Sequence, residues 1–263
     1  MTELGKSSVK KWERTDTIGK GERAAKWLKE AAGDLIFPIR CALCDEIIPF
    51  DRRKEGICDR CRPRIRYIRE PFCMRCGRQL GKDQEEYCED CSRREHVFAQ
   101  NVTLYDYGSV ADSLFRFKYR GRQEYAAFYG RELYEGYREW LEARKPEALV
   151  PVPCHSSRRR QRGYNQAELL AESLSAVSGI PVKRDLIQRS RKTGPQKNLT
   201  LRERQNNLKK AFKICQNDVK LNTIVIIDDI YTTGSTMDAM AEELHRNGVR
   251  KIYGMALASG RGV

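Results

Sequence analysis

Eight of the ten cysteines fall into four Cys-x-x-Cys pairs: Cys41/Cys44, Cys58/Cys61, Cys73/Cys76 and Cys88/Cys91. Thirteen residues separate the first pair from the second, and eleven separate each later pair from the next. Two residues between thiolates let one tight turn present both sulfurs to a single ion, and two such turns complete the tetrahedral S4 shell that zinc accepts. A redox motif of the thioredoxin kind accounts for one pair but not for four at near-even spacing. Eight ligands make two zinc sites. The spacing leaves the pairing open: sequential ribbons, first pair with second and third with fourth, are the simplest assignment, and a cross-braced arrangement is the alternative. No further donor lies close by, His96 standing beyond the last pair, so both ions read as structural rather than catalytic. Cys154 and Cys215 stand alone and read as buried, inert thiols.

A second signature runs from Thr223 to Asp238 as T-I-V-I-I-D-D-I-Y-T-T-G-S-T-M-D. The unbroken Ile/Val run describes a strand buried on both faces, and ligands of a parallel α/β sheet bind at the carboxyl ends of its strands. Asp228 and Asp229 are expected at that end. Small hydroxylated residues around Gly234 then lead into a helix, whose free backbone N–H groups favour phosphate. Ser or Thr before a helix is ordinary capping chemistry, but two adjacent acids beside four hydroxyls exceed what a cap requires. A sugar phosphate fits. Neither G-x-x-x-x-G-K-[ST] nor G-x-G-x-x-G occurs, so nucleoside triphosphatase and dinucleotide readings lack their fingerprints.

The charge agrees with an anionic ligand. Fifty Lys and Arg face 36 Asp and Glu, a formal +14, of which residues 155 to 213 carry +11. Eight thiolates and two divalent ions would lower the total to about +10. A second basic region, Arg52, Arg53, Arg60, Arg62, Arg64, Arg66 and Arg69, reads as a solvated face. No apolar run approaches the roughly 18 residues of a membrane span, and the first thirty residues lack a secretory apolar core. The expectation is a cytoplasmic protein without a membrane span.

Around these signatures the pattern predicts a polar tail over residues 1–21 and a short amphipathic helix from Glu22 to about Leu35. Strands are expected at Val102–Tyr105, Ala148–Val152, Thr223–Asp228 and Lys251–Ala258. Helices are expected at Asp112–Tyr119, 123–143, Asn165–Val177 and Ser235–Asn247. The aromatics of 123–143, from Tyr125 to Trp140, read as core. Strands alternating with helices mean a parallel sheet. The expected domains are a tail and helix over 1–37, a double zinc ribbon over 38–95 and an α/β domain over 96–263.

VIIDDIYTTGST, residues 225–236, resembles the 5-phosphoribosyl pyrophosphate (PRPP) motif of type I phosphoribosyltransferases. The resemblance extends to the ComF family of competence proteins in LIFPIRCALC, FCMRCG, FKYRGR, VPVPCHSSRRRQRGYNQAELLAESL and RSRKTGPQKNLTLRERQNN, together covering about residues 35–260. It implies a type I phosphoribosyltransferase-like parallel sheet flanked by helices, joined to an N-terminal double zinc ribbon.

On this resemblance Asp228 and Asp229 hold the ribose hydroxyls. Because successive strand side chains point to opposite sides, one is expected at the sugar and the other at the loop backbone. Thr232, Thr233, Gly234, Ser235 and Thr236 hold the 5-phosphate. The turn after Val150-Pro151-Val152-Pro153 faces the pyrophosphate, with Arg158, Arg159, Arg160 and Arg162 supplying charge. Residues 191–207 are the catalytic loop, with Arg191, Lys192, Gln196, Arg202 and Arg204 as candidates. Mg2+ is held largely by pyrophosphate oxygens and water.

Two functions follow from the resemblance. The first is a cytoplasmic competence factor that handles incoming single-stranded DNA, with DNA-uptake or helicase proteins as partners and the phosphoribosyltransferase fold kept as a PRPP-binding module. The second is an active Mg-dependent phosphoribosyltransferase of nucleotide metabolism. The basic segment suits either, since the same cations neutralise a leaving pyrophosphate or a DNA backbone.

Overall fold

Four strands of mostly apolar sequence form one parallel sheet in this computed structural model, which describes residues 38–81, 86–189, 211–215 and 220–260. The chain divides into two units, Met1–Pro38 and Ile39–Val263, and the fold described is that of the second. The tail and the helix expected from Glu22 lie outside the described residues.

The strands are β1 (Gln100–Asp106), β2 (Ala148–Pro151), β3 (Ile187–Arg189), β4 (Phe212–Ile214), β5 (Thr223–Tyr231) and β6 (Lys251–Ser259). The helices are α1 (Glu89–Arg93), α2 (Tyr107–Tyr119), α3 (Tyr125–Arg144), α4 (Ser156–Arg162), α5 (Gln166–Ser178) and α6 (Ser235–Arg246). The main sheet runs β1-β6-β5-β2, all parallel, while β3 and β4 form a separate antiparallel pair.

Side-chain alternation divides the core into two. Val225, Ile227, Met255 and Leu257 pack with Leu114, Phe117, Tyr129, Leu133, Leu170 and Leu174 of α2, α3 and α5. Ile224, Ile226, Ile252 and Ala256 pack on the other face with Met237, Met240, Ala241 and Leu244 of α6. Apolar residues at i, i+3, i+4 and i+7 of α6 supply that stripe, as the sequence predicts. Helix α3 approaches α5 at Gly130, where a Cβ would fall 2.5 Å from the Ser173 Cβ.

Each half of the ribbon region joins a different face. Ala42, Ile48, Ile57 and Ile65 belong to the α2/α3 cluster, and Leu80 with the second cysteine quartet belongs to the α6 cluster. Small metal domains bury little by themselves, and both halves here borrow the neighbouring core.

The structure departs from the sequence expectations at four places. Helix α2 starts five residues early because the Asp106 side chain caps it, accepting the Gly108 amide at 2.8 Å. Strand β5 continues to Tyr231 rather than stopping at Asp228, pairing Ile230 and Tyr231 with Ala258 and Ser259 of β6. The arginines after Pro153 are not in a turn: they form α4, which begins at His155, whose ring accepts the Ser157 amide, and ends at the left-handed Gly163. The β3/β4 pair, too short for a periodicity signal, was not expected.

Candidate functional site

Cys41, Cys44, Cys58 and Cys61 form one cluster, and Cys73, Cys76, Cys88 and Cys91 form the other, all sulfurs of each lying within 4.8 Å of one another. The pairing is therefore sequential, not cross-braced. Cys44 and Cys58 sulfurs are 3.8 Å apart and Cys76 and Cys88 sulfurs 3.6 Å. A tetrahedron with Zn–S bonds of about 2.3 Å requires edges of about 3.8 Å, so the donor sets fit zinc in both size and chemistry. The Cys58 amide donates to the Cys41 sulfur at 3.4 Å, the kind of bond that steadies a thiolate ligand. With four sulfurs each, the clusters suit structural ions. Of the two lone thiols, Cys215 is exposed rather than buried, and Cys154 is partly buried, with burial pushing its pKa up.

The second feature is a cleft of about 380 Å3 over the sheet. Strand β2 ends at Pro151, opposite Ile227, and its neighbour β5 runs on for four residues. Beyond the last bond on that side, from the Val152 amide to the Ile227 carbonyl at 2.9 Å, β5 has no β2 partner. Asp228 and Asp229 emerge there, and both line the cleft. Asp228 Oδ1 accepts the Asp229 amide at 2.8 Å, and Asp229 Oδ2 meets Lys118 Nζ at 2.8 Å. Burial and the adjacent Asp229 carboxylate push the Asp228 pKa up to about 8, with Lys118 opposing.

Four cations join the acids in the lining. Arg158 and Arg162, one helical turn apart on α4, face the cleft, as do Lys118 from α2 and Arg189 from β3. Burial and the Arg158 guanidinium lower the Arg189 pKa, and its guanidinium lies over the Phe212 ring at 5.6 Å. Arg162 reaches back to α2, donating to the Tyr119 hydroxyl at 3.0 Å, with its guanidinium 4.6 Å from that ring. Asn165 Nδ2 donates to the Val152 carbonyl at 3.0 Å, fixing the end of β2 against α5.

The hydroxyl loop follows β5. Gly234 adopts φ 73° and opens α6 with no side chain capping the helix, so its first turn presents backbone N–H groups as an anion site does. Thr232 and Thr233 are exposed, and the Thr233 and Ser235 hydroxyls lie 2.9 Å apart. Thr236 lines the cleft; Thr232, Thr233, Gly234 and Ser235 adjoin it in sequence without lining it.

Thus Asp228, Asp229, Arg158, Arg162 and Thr236 come together at one cleft. Arg159 and Arg160 are outside its lining: Arg159 pairs with Glu168 at 3.3 Å and Arg160 is exposed. Both acids reach the cleft, and neither has a bond to residues 232–236 among those described. Arg191, Lys192, Gln196, Arg202 and Arg204 lie outside the described residues. Lys118, Arg189 and Asn165 were not identified from sequence. Lys118 stands in FKYRGR and Asn165 in RRRQRGYNQ, stretches that match the family without a motif assigning the side chains a task.

Residues 32–92 match a double zinc ribbon domain and residues 161–261 a phosphoribosyl transferase domain. Competence protein F of Haemophilus influenzae is 37% identical over 115 residues, 43% of this chain and 50% of that protein. DNA utilization protein YhgH of Escherichia coli K12 is 35% identical over 158 residues, 57% of this chain and 68% of that protein. Competence protein ComFC of Bacillus subtilis is 29% identical over 243 residues, 84% of this chain and 95% of that protein. The chain thus spans half the length of the Haemophilus relative and nearly all of the Bacillus one. With both domains matched along the chain, a relative 35% identical and covered over 68% of its length, and the ribbon's eight cysteines gathered into two sites, the chain belongs to the ComF family of competence proteins.

Proposed function

We propose that this chain binds PRPP or a related phosphorylated pentose in the cleft, and that the binding serves a cytoplasmic role in handling incoming single-stranded DNA. The early end of β2 carries the first part of this reading. It opens a recess where two carboxylates, several cations and the start of an uncapped helix lie together. The 5-phosphate sits on the loop amides at the start of α6, the ribose hydroxyls donate to Asp228 and Asp229, and the pyrophosphate faces Arg158, Arg162 and Arg189.

Mg2+ would accompany the ligand. Asp228 already accepts an amide and Asp229 already holds Lys118, so such an ion would be held mainly by the pyrophosphate and water and would neutralise phosphate charge there. The chain's own residues position the sugar, neutralise the phosphates and exclude water.

The DNA role is supported by relatives named for competence and DNA utilization and by the basic surface. Arg159 and Arg160, outside the lining and exposed, suit a phosphate backbone better than the sugar. Uptake or helicase proteins of the competence machinery are the partners this role requires. The other reading, an active Mg-dependent phosphoribosyltransferase, draws on one observation: three arginines share the cleft with the acids and could neutralise a departing pyrophosphate.

Calorimetry with PRPP and magnesium tests the first part. Heat of binding that disappears in Asp228→Asn/Asp229→Asn supports it, and no heat with the intact chain refutes it. Pyrophosphate released from PRPP with a base or ammonia establishes the enzyme. Salt-sensitive binding of a single-stranded oligonucleotide, weakened in Arg159→Ala/Arg160→Ala, establishes the DNA role, and no binding at low salt removes it.

A further inference from the structure

We propose that Arg78, Arg94 and His96 are positioning residues for the phosphate loop, so that the metal centre at Cys73, Cys76, Cys88 and Cys91 sets the loop's ligand-binding form. The inference rests on the phosphosugar reading for what the loop binds, but not for how the loop is held.

The second ribbon grips the loop at three successive points. Arg78, only 8% exposed and two residues past Cys76, divides its guanidinium: Nη1 donates to Asp90 Oδ2 at 2.9 Å and Nη2 to the Thr232 carbonyl at 2.6 Å. Asp90 lies between the last two cysteines, so one planar fork joins the metal knuckle to the loop backbone. Just upstream, His96 Nε2 lies 3.2 Å from the Tyr231 hydroxyl. Just downstream, Asp238 Oδ2 receives Arg94 Nη2 at 2.5 Å and lies 2.9 Å from His96 Nδ1, while Asp238 Oδ1 accepts the Val97 amide at 2.9 Å.

The grip is tied back to the knuckle. Arg75 Nη1 donates to the carbonyls of Cys91 and Arg94, at 3.1 and 3.2 Å, and Asn101 Nδ2 donates to the Cys76 carbonyl at 2.7 Å. Gly234 fits only because it lacks a side chain: a Cβ would lie 2.5 Å from the Tyr231 hydroxyl and 2.8 Å from His96 Cε1. Losing the metal removes the folding energy of the knuckle and with it the anchor of these side chains.

Arg94 has a second consequence. Asp238 places a carboxylate in the first turn of α6, where a bound phosphate would meet its negative charge; Arg94 offsets it. The first ribbon makes different bonds. Among the described residues its Ala42 and Leu43 carbonyls accept from Ser113 and Arg116, and Asp45 accepts from Arg122 and Tyr125, all on the α2–α3 side. The two cysteine clusters are therefore unequal: among the described residues, the bonds to the loop come from the side of the second.

The test is hydrogen exchange of residues 229–240 in the full chain carrying both zincs, together with inorganic phosphate and PRPP affinities. Arg78→Ala and Arg94→Ala are expected to speed exchange there about tenfold, with residues 224–227 unchanged, and to weaken both ligands by about the same factor. Arg94→Lys, which keeps one ion pair, restores protection. Asp238→Asn in the Arg94→Ala background restores phosphate affinity. Arg60→Ala, in the first ribbon, changes neither reading.

Unchanged exchange in both single variants overturns the inference. If Arg78→Ala does not fold, Arg78→Lys replaces it, keeping the charge but reaching only one of its two partners. Faster exchange confined to the loop then supports the proposal, and unchanged exchange defeats it. A wild-type chain that ignores PRPP would defeat the phosphosugar reading alone, because the exchange measurement needs no ligand.

Discussion

Lys118 Nζ on α2 and Asp229 Oδ2 on β5 meet at 2.8 Å, with side chains 18% and 14% exposed. The pair joins the last turn of a helix to the strand acids of the candidate site. It is largely desolvated, so removing one partner costs more than breaking a surface ion pair would.

Lys118→Met leaves the Asp229 carboxylate without its cation and is expected to destabilise the fold by about 1–3 kcal/mol. Asp229→Asn in the same chain should recover part of the loss. Urea unfolding of the two variants against wild type measures both steps; equal stability of Lys118→Met and wild type would refute the assignment.

The raised pKa of Asp228 predicts a pH dependence with a defined sign. The folded state holds this proton more tightly than the unfolded chain, so the stability it contributes is complete below the ordinary carboxylate range and is lost as pH rises through about 8. The slope from this group is at most about 1.4 kcal/mol per pH unit. Thermal melts from pH 5 to 9 should fall more steeply in wild type than in Asp228→Asn. Because Lys118 opposes the shift, Lys118→Met should carry the fall to higher pH.

Gly130→Ala tests the packing of α3 on α5. The added methyl would lie 2.5 Å from the Ser173 Cβ and 2.8 Å from the Leu174 amide nitrogen, so the helices must separate. The expected cost is about 1–3 kcal/mol, the usual range for overpacking. A denaturation midpoint equal to wild type would contradict so close an approach.

Metal analysis should return two zincs per chain. Cys41→Ser and Cys73→Ser should each lose about one, because sequential pairing leaves the other quartet whole. Loss of both from either single substitution would mean that the sites share ligands.

The zinc ligands and the strand–loop–helix unit were legible because their chemistry is local: two cysteines per turn, and an apolar run followed by hydroxyls and a helical stripe. The limits of β5 were not, since whether Ile230 and Tyr231 extend the strand depends on Ala258 and Ser259 across the sheet. Helix α4 was hidden in a run of arginines with no apolar stripe, so only its cap and closing glycine mark it. The task of Lys118 depends on Asp229, far along the chain, and that of Arg78 on the Thr232 carbonyl, which has no identity in a sequence at all. Spacing reports what neighbours share; it is silent about which distant groups folding will bring together.

The strand order also sets a sequence of events on the ribosome. The flanking strands β1 and β2 are translated first, and the central strands β6 and β5 that they require come last. Each cysteine quartet closes over a short span and can take its ion while synthesis continues. The four-stranded sheet cannot be completed until β6 has left the exit tunnel. A message cut short before Lys251 would therefore release the two cysteine quartets with a β1 bonded to residues 66–68 along one edge and open along the edge that β6 covers, the kind of exposed edge that chaperones and proteases clear.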